Sequence, residues 1–408
     1  MTGARAETGS DHPDPRSNPR SLFLMLSVCN FVIGMGAFAP IGMLEPMAGA
    51  LGSPVTAVAG LLTVYSIAYA ASSPILVALT GRIGRRRVLT AGLALFTLAM
   101  ALSALAPGIA LLYPARVVAA AGAGMVTPVS LAIAAALAPP DRRGQALSLV
   151  FLGLTLSQVA GVPVGSWLAY TYGWRSVFGL VALMALPCLW LVWTRVPAGL
   201  RFSPVTLRDL GGVLRNPVAL ITVGFTVVFL AGIYMVYTYL PPLLSQTMGY
   251  GRDGVSLTLL IFGLGAPLGN MLGGRMADRL GPGRSLILIC IAEILCLPLF
   301  ALLPLPGALL LGFVFVWSLV GWCFSPSQQL RLVSLAPPLA PVLMSLHAAS
   351  IYVGIAAGSG LGAMVLESAG LMALGPAAAV VALAALGVLI LSDRAARRGV
   401  GAAQGRRP

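Results

Sequence analysis

Twelve apolar runs, each of membrane-crossing length, divide the chain, and short segments rich in turn residues separate them. A helix needs roughly 20 apolar residues to cross about 30 Å of hydrocarbon. The runs fall at 22–44, 55–79, 88–106, 109–137, 146–169, 176–195, 218–241, 255–276, 285–303, 307–332, 342–366 and 371–391. They are continuous rather than alternating, which excludes barrel strands. Helices remain, because backbone polar groups cannot stay unpaired in lipid. Only 9% of residues are charged and 58% are hydrophobic. A soluble domain carries about 25% charged residues. The expected fold is therefore an all-α membrane protein of twelve transmembrane helices.

A basic motif occurs twice and divides the chain in two. Residues 81–87 read Gly-Arg-Ile-Gly-Arg-Arg-Arg, and residues 274–284 read Gly-Arg-Met-Ala-Asp-Arg-Leu-Gly-Pro-Gly-Arg. Gly81 and Asp278 fall in register 197 residues apart, about half the chain. Each copy lies between two apolar runs. Repetition of a short hairpin at half-length points to two pseudo-symmetric six-helix bundles, the architecture of a transporter. The expected division is a disordered N-terminus over 1–20, a first bundle over 21–195, a linker over 196–217, a second bundle over 218–392 and a basic tail over 393–408. Pro, Asp, Ser and Arg dominate the first segment, which cannot bury a core. The run at 22–44 is too long for a cleaved signal and reads as the first span.

The net charge is +14, and every basic residue is arginine. Position decides what that charge means. If the N-terminus is cytoplasmic, the inner segments hold 22 of the 25 arginines. Two, Arg175 and Arg252, fall in outer loops, and Arg116 falls within a span. That bias places both termini in the cytoplasm and the protein in the inner membrane. It also explains the basic balance without a nucleic-acid partner. The five cysteines lie in apolar runs without a C-x-x-C pair, and two histidines cannot build a metal centre. Gly-x-Gly pairs at 122–124 and 263–265 sit inside spans without a preceding strand, so they are not nucleotide loops. With no lysine to cradle phosphate and no convergent nucleophile and base, the chain reads as neither an ATP-driven pump nor an enzyme. No cofactor is called for.

Charges inside spans are the sharpest functional pointers. Arg116 lies about seven residues into its span. It is a candidate for binding an anionic group, with snorkelling to the surface as the alternative. Glu293 lies near the middle of the ninth span, a candidate proton carrier or a buried structural hydrogen-bonding group. Glu45 and Glu367 sit at outer span ends and read as solvated. Small-residue faces recur at Gly161, Pro163 and Gly165, at Gly265, Gly269 and Gly273, and at Gly354, Gly358 and Gly362. Such faces let helices approach closely.

The two hairpins resemble the signature of the major facilitator superfamily, roughly G-x-x-x-D-R-x-G-R-R. Gly274, Asp278, Arg279, Gly281 and Arg284 match it. In the first copy Val77 and Gly81 replace the Gly and the Asp, while Arg82, Gly84, Arg85 and Arg86 remain. Gly161-Val-Pro-Val-Gly165-Ser, followed by Gly173-Trp174-Arg175 and Phe178, resembles the span-5 signature of the twelve-span drug:proton antiporters, notably the sugar-efflux-permease-like branch. Arg116 with Ala119 to Gly124 resembles that branch's span-4 motif, and Pro326, Gln329, Arg331 and Ala336-Pro337 resemble the end of its span 10. The likeness covers residues 20 to about 392.

The resemblance implies a central cavity lined by spans 1, 4, 7 and 10, with the halves touching along spans 5/8 and 2/11. The small-residue faces then fit either a sliding interface between the halves or plain tight packing. Asn30, Tyr65, Arg116, Gln158, Tyr234, Tyr237, Trp317 and Gln328 are candidate solute contacts. Arg116, Glu293 and His347 are candidates for proton coupling, with a hydrogen-bonded packing role as the alternative for His347. The two hairpins are candidate gates, with Asp278 making the second the stronger. Related antiporters often carry an acid in span 1, where this chain reads Gly34-Met35-Gly36-Ala37-Phe38. The expected activity is export of a small organic solute (a drug, sugar or nucleoside-like metabolite) by proton antiport. A uniporter or proton-coupled importer is the alternative, and a transport-dead membrane sensor is a third reading. The protein is expected to work as a monomer in the bilayer.

Overall fold

The computed structural model describes residues 19–139, 142–200, 217–335 and 340–404. The expected disordered segment over 1–20 lies outside these residues except for its last two, which begin a helix. Of the expected linker, residues 196–200 are described and 201–216 are not. Among the described residues, twelve helices are long and apolar enough to cross a membrane. They are span 1 (Arg20–Gly42), span 2 (Val55–Leu79), span 3 (Arg85–Ala104), span 4 (Ile109–Leu137), span 5 (Arg143–Tyr172), span 6 (Trp174–Arg195), span 7 (Pro217–Met248), span 8 (Arg252–Leu280), span 9 (Pro282–Leu302), span 10 (Gly307–Ser334), span 11 (Leu346–Ala369) and span 12 (Leu371–Ala395). An even number of crossings puts the start of span 1 and the end of span 12 on one side, here called the terminal end. The other side is the distal end.

Most span boundaries match the hydropathy reading within a few residues. Span 7 is the exception, running on to Met248 where the sequence suggested an end at 241. Its helix breaks at Thr238 and restarts at Leu240. Pro241 and Pro242 then occupy the first turn, where a missing N–H breaks no bond. The proline pair marks a restart rather than an exit. The last helix also continues past its span, to Gln404.

Packing repeats at a six-span offset. Spans 1/5, 2/4, 3/6, 1/6 and 3/4 pack in the first half. Their counterparts 7/11, 8/10, 9/12, 7/12 and 9/10 pack in the second. Between the halves the principal contacts are 2/11 and 5/8, a pair that the same offset exchanges. Two six-helix bundles thus face each other across a pseudo-two-fold axis. Leu183, Trp190, Leu295 and Val380 are exposed around the outside. Large apolar side chains in that position face lipid, not water.

Lipid provides no hydrophobic drive between helices, so close backbone approach must supply cohesion. The glycine ladders do this inside each half. Along span 8, Gly265 meets Ser318, Gly269 meets Leu319, and Gly273 meets Cys323 of span 10. Along span 11, Gly354, Gly358 and Gly362 meet Val227, Ala231 and Tyr239 of span 7. Gly161 lies against Met35 of span 1, and Gly165 against Val177 of span 6. The sliding-interface reading of these glycines is therefore corrected: they are seams within the bundles. The glycine that does sit between the halves is Gly263, tight against Val159 and the Gln158 carbonyl. Span 5 is π-helical there, over Ser157–Gly161. Pro163 cannot donate to the Val159 carbonyl four residues back, which favours this local widening.

Gly358→Val should break the 7/11 seam, because an added Cβ already meets the Ala231 backbone. Gly360, two residues on, faces open space. Thermal unfolding in detergent should show Gly358→Val destabilised by about 2 kcal/mol or more and Gly360→Val near the parent. Equal melting of the two would contradict the seam.

Candidate functional site

Arg116 in span 4 is fully buried. Its Nη1 donates to the Gly36 carbonyl and Nη2 to the Ala37 carbonyl, both at 2.6 Å, and Nε reaches the Leu61 carbonyl at 3.4 Å. The guanidinium also lies 4.4 Å over the Tyr65 ring. Pro40 explains the first contact. It stands four residues after Gly36 and has no N–H, so the Gly36 carbonyl loses its helical partner. Arg116 replaces that donor and ties spans 1, 2 and 4 together. It neither snorkels to a surface nor pairs with a carboxylate in this conformation.

The second half holds an aromatic cavity. Leu230, Ile233, Tyr234, Phe262, Trp317, Ser318, Gly321, Trp322, Phe324, Ser325 and Ile351 line it. They come from spans 7, 8, 10 and 11. Phe262 stacks on Tyr237 with ring centres 4.1 Å apart and tilts against Trp317 at 5.0 Å. Tyr234 meets Tyr237 edge-on. Gln158 reaches from span 5 to donate to the Tyr234 hydroxyl at 3.4 Å, a polar contact across the halves. The Gln158 Oε1 and the Tyr237 hydroxyl have no partner.

Glu293 is 1% exposed. Its Oε2 accepts the Trp317 indole N–H at 3.1 Å, while Oε1 has no partner. Span 9 is peripheral, yet this side chain reaches the back of the cavity wall.

The remaining sequence candidates separate into other groups. Asn30 donates to the Leu26 carbonyl of its own helix. Gln328 donates to the Thr222 carbonyl at 2.8 Å and to the Thr226 hydroxyl at 3.2 Å. His347 Nδ1 meets that same hydroxyl at 3.2 Å. Thr222 also bonds Ser392. Gln328 and His347 thus belong to a polar knot joining spans 7, 10, 11 and 12, apart from the cavity lining. In the first hairpin, the Arg85 N–H donates to the Leu200 carbonyl, and Arg86 lies 4.4 Å over the Trp193 ring. Arg82 is exposed. In the second hairpin, Asp278, Arg279 and Arg284 are exposed. Gly281 turns the chain with φ of 81°, a conformation that favours glycine, and a Cβ at Gly274 would meet nothing.

Several contacts between the halves were not apparent from sequence. Glu45, read as solvated, is only partly exposed and accepts hydrogen bonds from Tyr170 at 2.8 Å and from Ser245 of the other half. Arg252 reaches Thr171 at 3.4 Å and lies 5.3 Å over the Trp167 ring. Both contacts lie at the distal end and close it. Deeper in, Tyr69 of span 2 stacks on Tyr352 of span 11 at 3.8 Å.

Two six-span bundles that pack along spans 2/11 and 5/8, joined at the distal end and carrying a cavity midway along spans 7, 8, 10 and 11, define a transporter fold. The Major Facilitator Superfamily model matches residues 26–359, and the chain belongs to that family. It is 31% identical over 374 residues to the MFS-type transporter YbcL of Bacillus subtilis, covering 92% of this chain and 94% of that one. It is 26% identical to a Mannheimia succiniciproducens protein named "Probable sugar efflux transporter", covering 88% and 90%. In structure it superimposes on the nucleoside transporter NupG with a TM-score of 0.75 and 12% identity, covering 92% of this chain and 100% of NupG. The family and these relatives are transporters, not enzymes.

Arg116→Met leaves the Gly36 carbonyl unpaired in the interior. It should lower unfolding stability in detergent by about 3 kcal/mol or more, and a parent-like melt would contradict the carbonyl clamp. Removing the distal contacts with Ser245→Ala and Arg252→Ala should lengthen the spin-label distance between Ala50→Cys and Gln246→Cys. An unchanged distance distribution would show that these side chains do not hold the end shut.

Proposed function

We propose that the protein exports a small organic solute across the inner membrane by proton antiport, with alternating access about the 2/11 and 5/8 contacts. The solute is a drug, a sugar or a nucleoside-like metabolite. The supporting observation is the pairing of side-chain contacts that join the halves at the distal end with a second-half cavity backed by a buried acid. Arginine bias makes the terminal end cytoplasmic, so the contacts that join the halves lie on the outer side, which fits loading from within. The relative named for sugar efflux fits the export direction.

Among the coupling candidates, Glu293 suits the role best. Arg116 is bound to backbone carbonyls, and His347 lies in the polar knot. Glu293 has a free oxygen beside the cavity wall. The solute candidates divide likewise. Tyr234 and Trp317 line the cavity, with Gln158 and Tyr237 in contact with them. Tyr65 lies beneath Arg116, while Asn30 and Gln328 serve backbone carbonyls. The hairpin groups Arg82, Gly84, Arg85, Arg86, Gly274, Asp278, Arg279, Gly281 and Arg284 lie at the end that must close when the distal end opens. Exposure of Asp278 in the distal-closed state agrees with a gate that is disengaged. The protein works as a monomer, with protons and one solute as its partners.

A second reading, uniport or proton-coupled import, is favoured by Gly34-Met35-Gly36-Ala37-Phe38, where related antiporters often carry an acid. Everted vesicles with an acidified lumen separate the two readings. A panel of sugars, nucleosides and aromatic drugs should include a solute whose uptake releases lumenal protons. Solute movement that ignores the pH gradient would favour uniport.

A further inference from the structure

The cavity wall and the acid behind it point to a particular solute chemistry. Tyr234, Phe262, Trp317 and Phe324 supply aromatic surface. Gly321 supplies part of the wall with no side chain of its own. A Cβ placed there would come within 3.1 Å of Glu293 Oε1. That oxygen is therefore separated from the cavity by the width of a glycine. It is buried and has no partner, while the other oxygen holds the Trp317 indole N–H.

We propose that this cavity binds a compact aromatic solute bearing a cationic nitrogen, with Glu293 as the counter-charge and the four rings as its walls. The proposal deepens the export reading and rests on it for the transport step after binding. The distribution of buried charge supports it. Among the described residues the other buried charges are Arg85, Arg116 and Arg331. Arg116 serves carbonyls of the first half, Arg331 pairs with Asp393 at 2.7 Å, and Arg85 lies in the terminal hairpin. The titratable groups around Glu293 are the thiols of Cys290, Cys296 and Cys323, none of them basic. A buried carboxylate without a counter-charge is strongly disfavoured, and an arriving cation removes that penalty. Aromatic faces attract the same cation through their ring quadrupoles, tryptophan most strongly. An anionic solute meets repulsion from the acid and gains nothing from the rings.

Naphthylmethylammonium, naphthalenemethanol and naphthoate share one ring system and differ in charge. Calorimetric binding to the purified full-length protein should rank the ammonium first and the alcohol second, with the carboxylate not binding. Glu293→Gln should weaken the ammonium by about tenfold or more and leave the alcohol unchanged. Gly321→Val, which crowds the wall without changing charge, should weaken the ammonium and the alcohol together. If Glu293→Gln does not fold, the ranking on the parent protein and the Gly321→Val result decide. Naphthoate binding as well as the ammonium would overturn the proposal. So would an ammonium preference that survives Glu293→Gln, or no binding by any of the three. Vesicles that bind the ammonium without moving it would count against export and leave the site standing. Vesicles that export a sugar while the purified protein ignores the ammonium would do the reverse.

Discussion

In hydrocarbon an unpaired polar group has no solvent to fall back on, and this constraint orders the whole structure. The Gly36 carbonyl shows it most directly. Pro40 removes its helical donor, and an arginine from another span takes that donor's place. Without this contact span 1 would carry an open carbonyl in the middle of the first bundle. The same constraint explains the polar knot of Thr222, Thr226, Gln328 and His347, in which most side-chain donors end on a neighbouring span.

The seams inside each half and the contacts between the halves differ in kind. Glycine seams bring backbones together inside each half, so each bundle resists deformation. Between the halves the contacts are of another kind: Gly263 against a π-turn, Tyr69 on Tyr352, Gln158 on Tyr234, and the hydroxyls on Glu45. Hydrogen bonds and ring contacts of this sort contribute about 1 kcal/mol each. Spans 2/11 and 5/8 also pack along their lengths, so the halves meet over a continuous interface.

The spans were legible because membrane thickness sets a length that hydropathy reads directly. The two-fold repeat was legible because the hairpin motif survives in both halves. What sequence could not supply was direction. A glycine every fourth residue says that a helix comes close, not which helix, and so the ladders fit a sliding interface and tight packing equally until their partners within each half are seen. Glu45 looked solvated because its partners Tyr170 and Ser245 lie far along the chain. The partner of Arg116 is a backbone carbonyl, which no side chain announces, although a proline four residues after Gly36 is a usable signal. Glu293 stood out as a charge in a span, but its approach to the cavity depends on the neighbouring Trp317 and Gly321.

Alternating access in this fold requires two stiff bundles that exchange which end of a shared cavity is closed. Spin-label pairs placed across the halves at the distal end, across the halves at the terminal end, and within one half test it together. With and without a proton gradient in reconstituted vesicles, the distal pair should lengthen as the terminal pair shortens, and the pair within one half should hold still. A change confined to the pair within one half, or both cross-half pairs moving in the same sense, would contradict it.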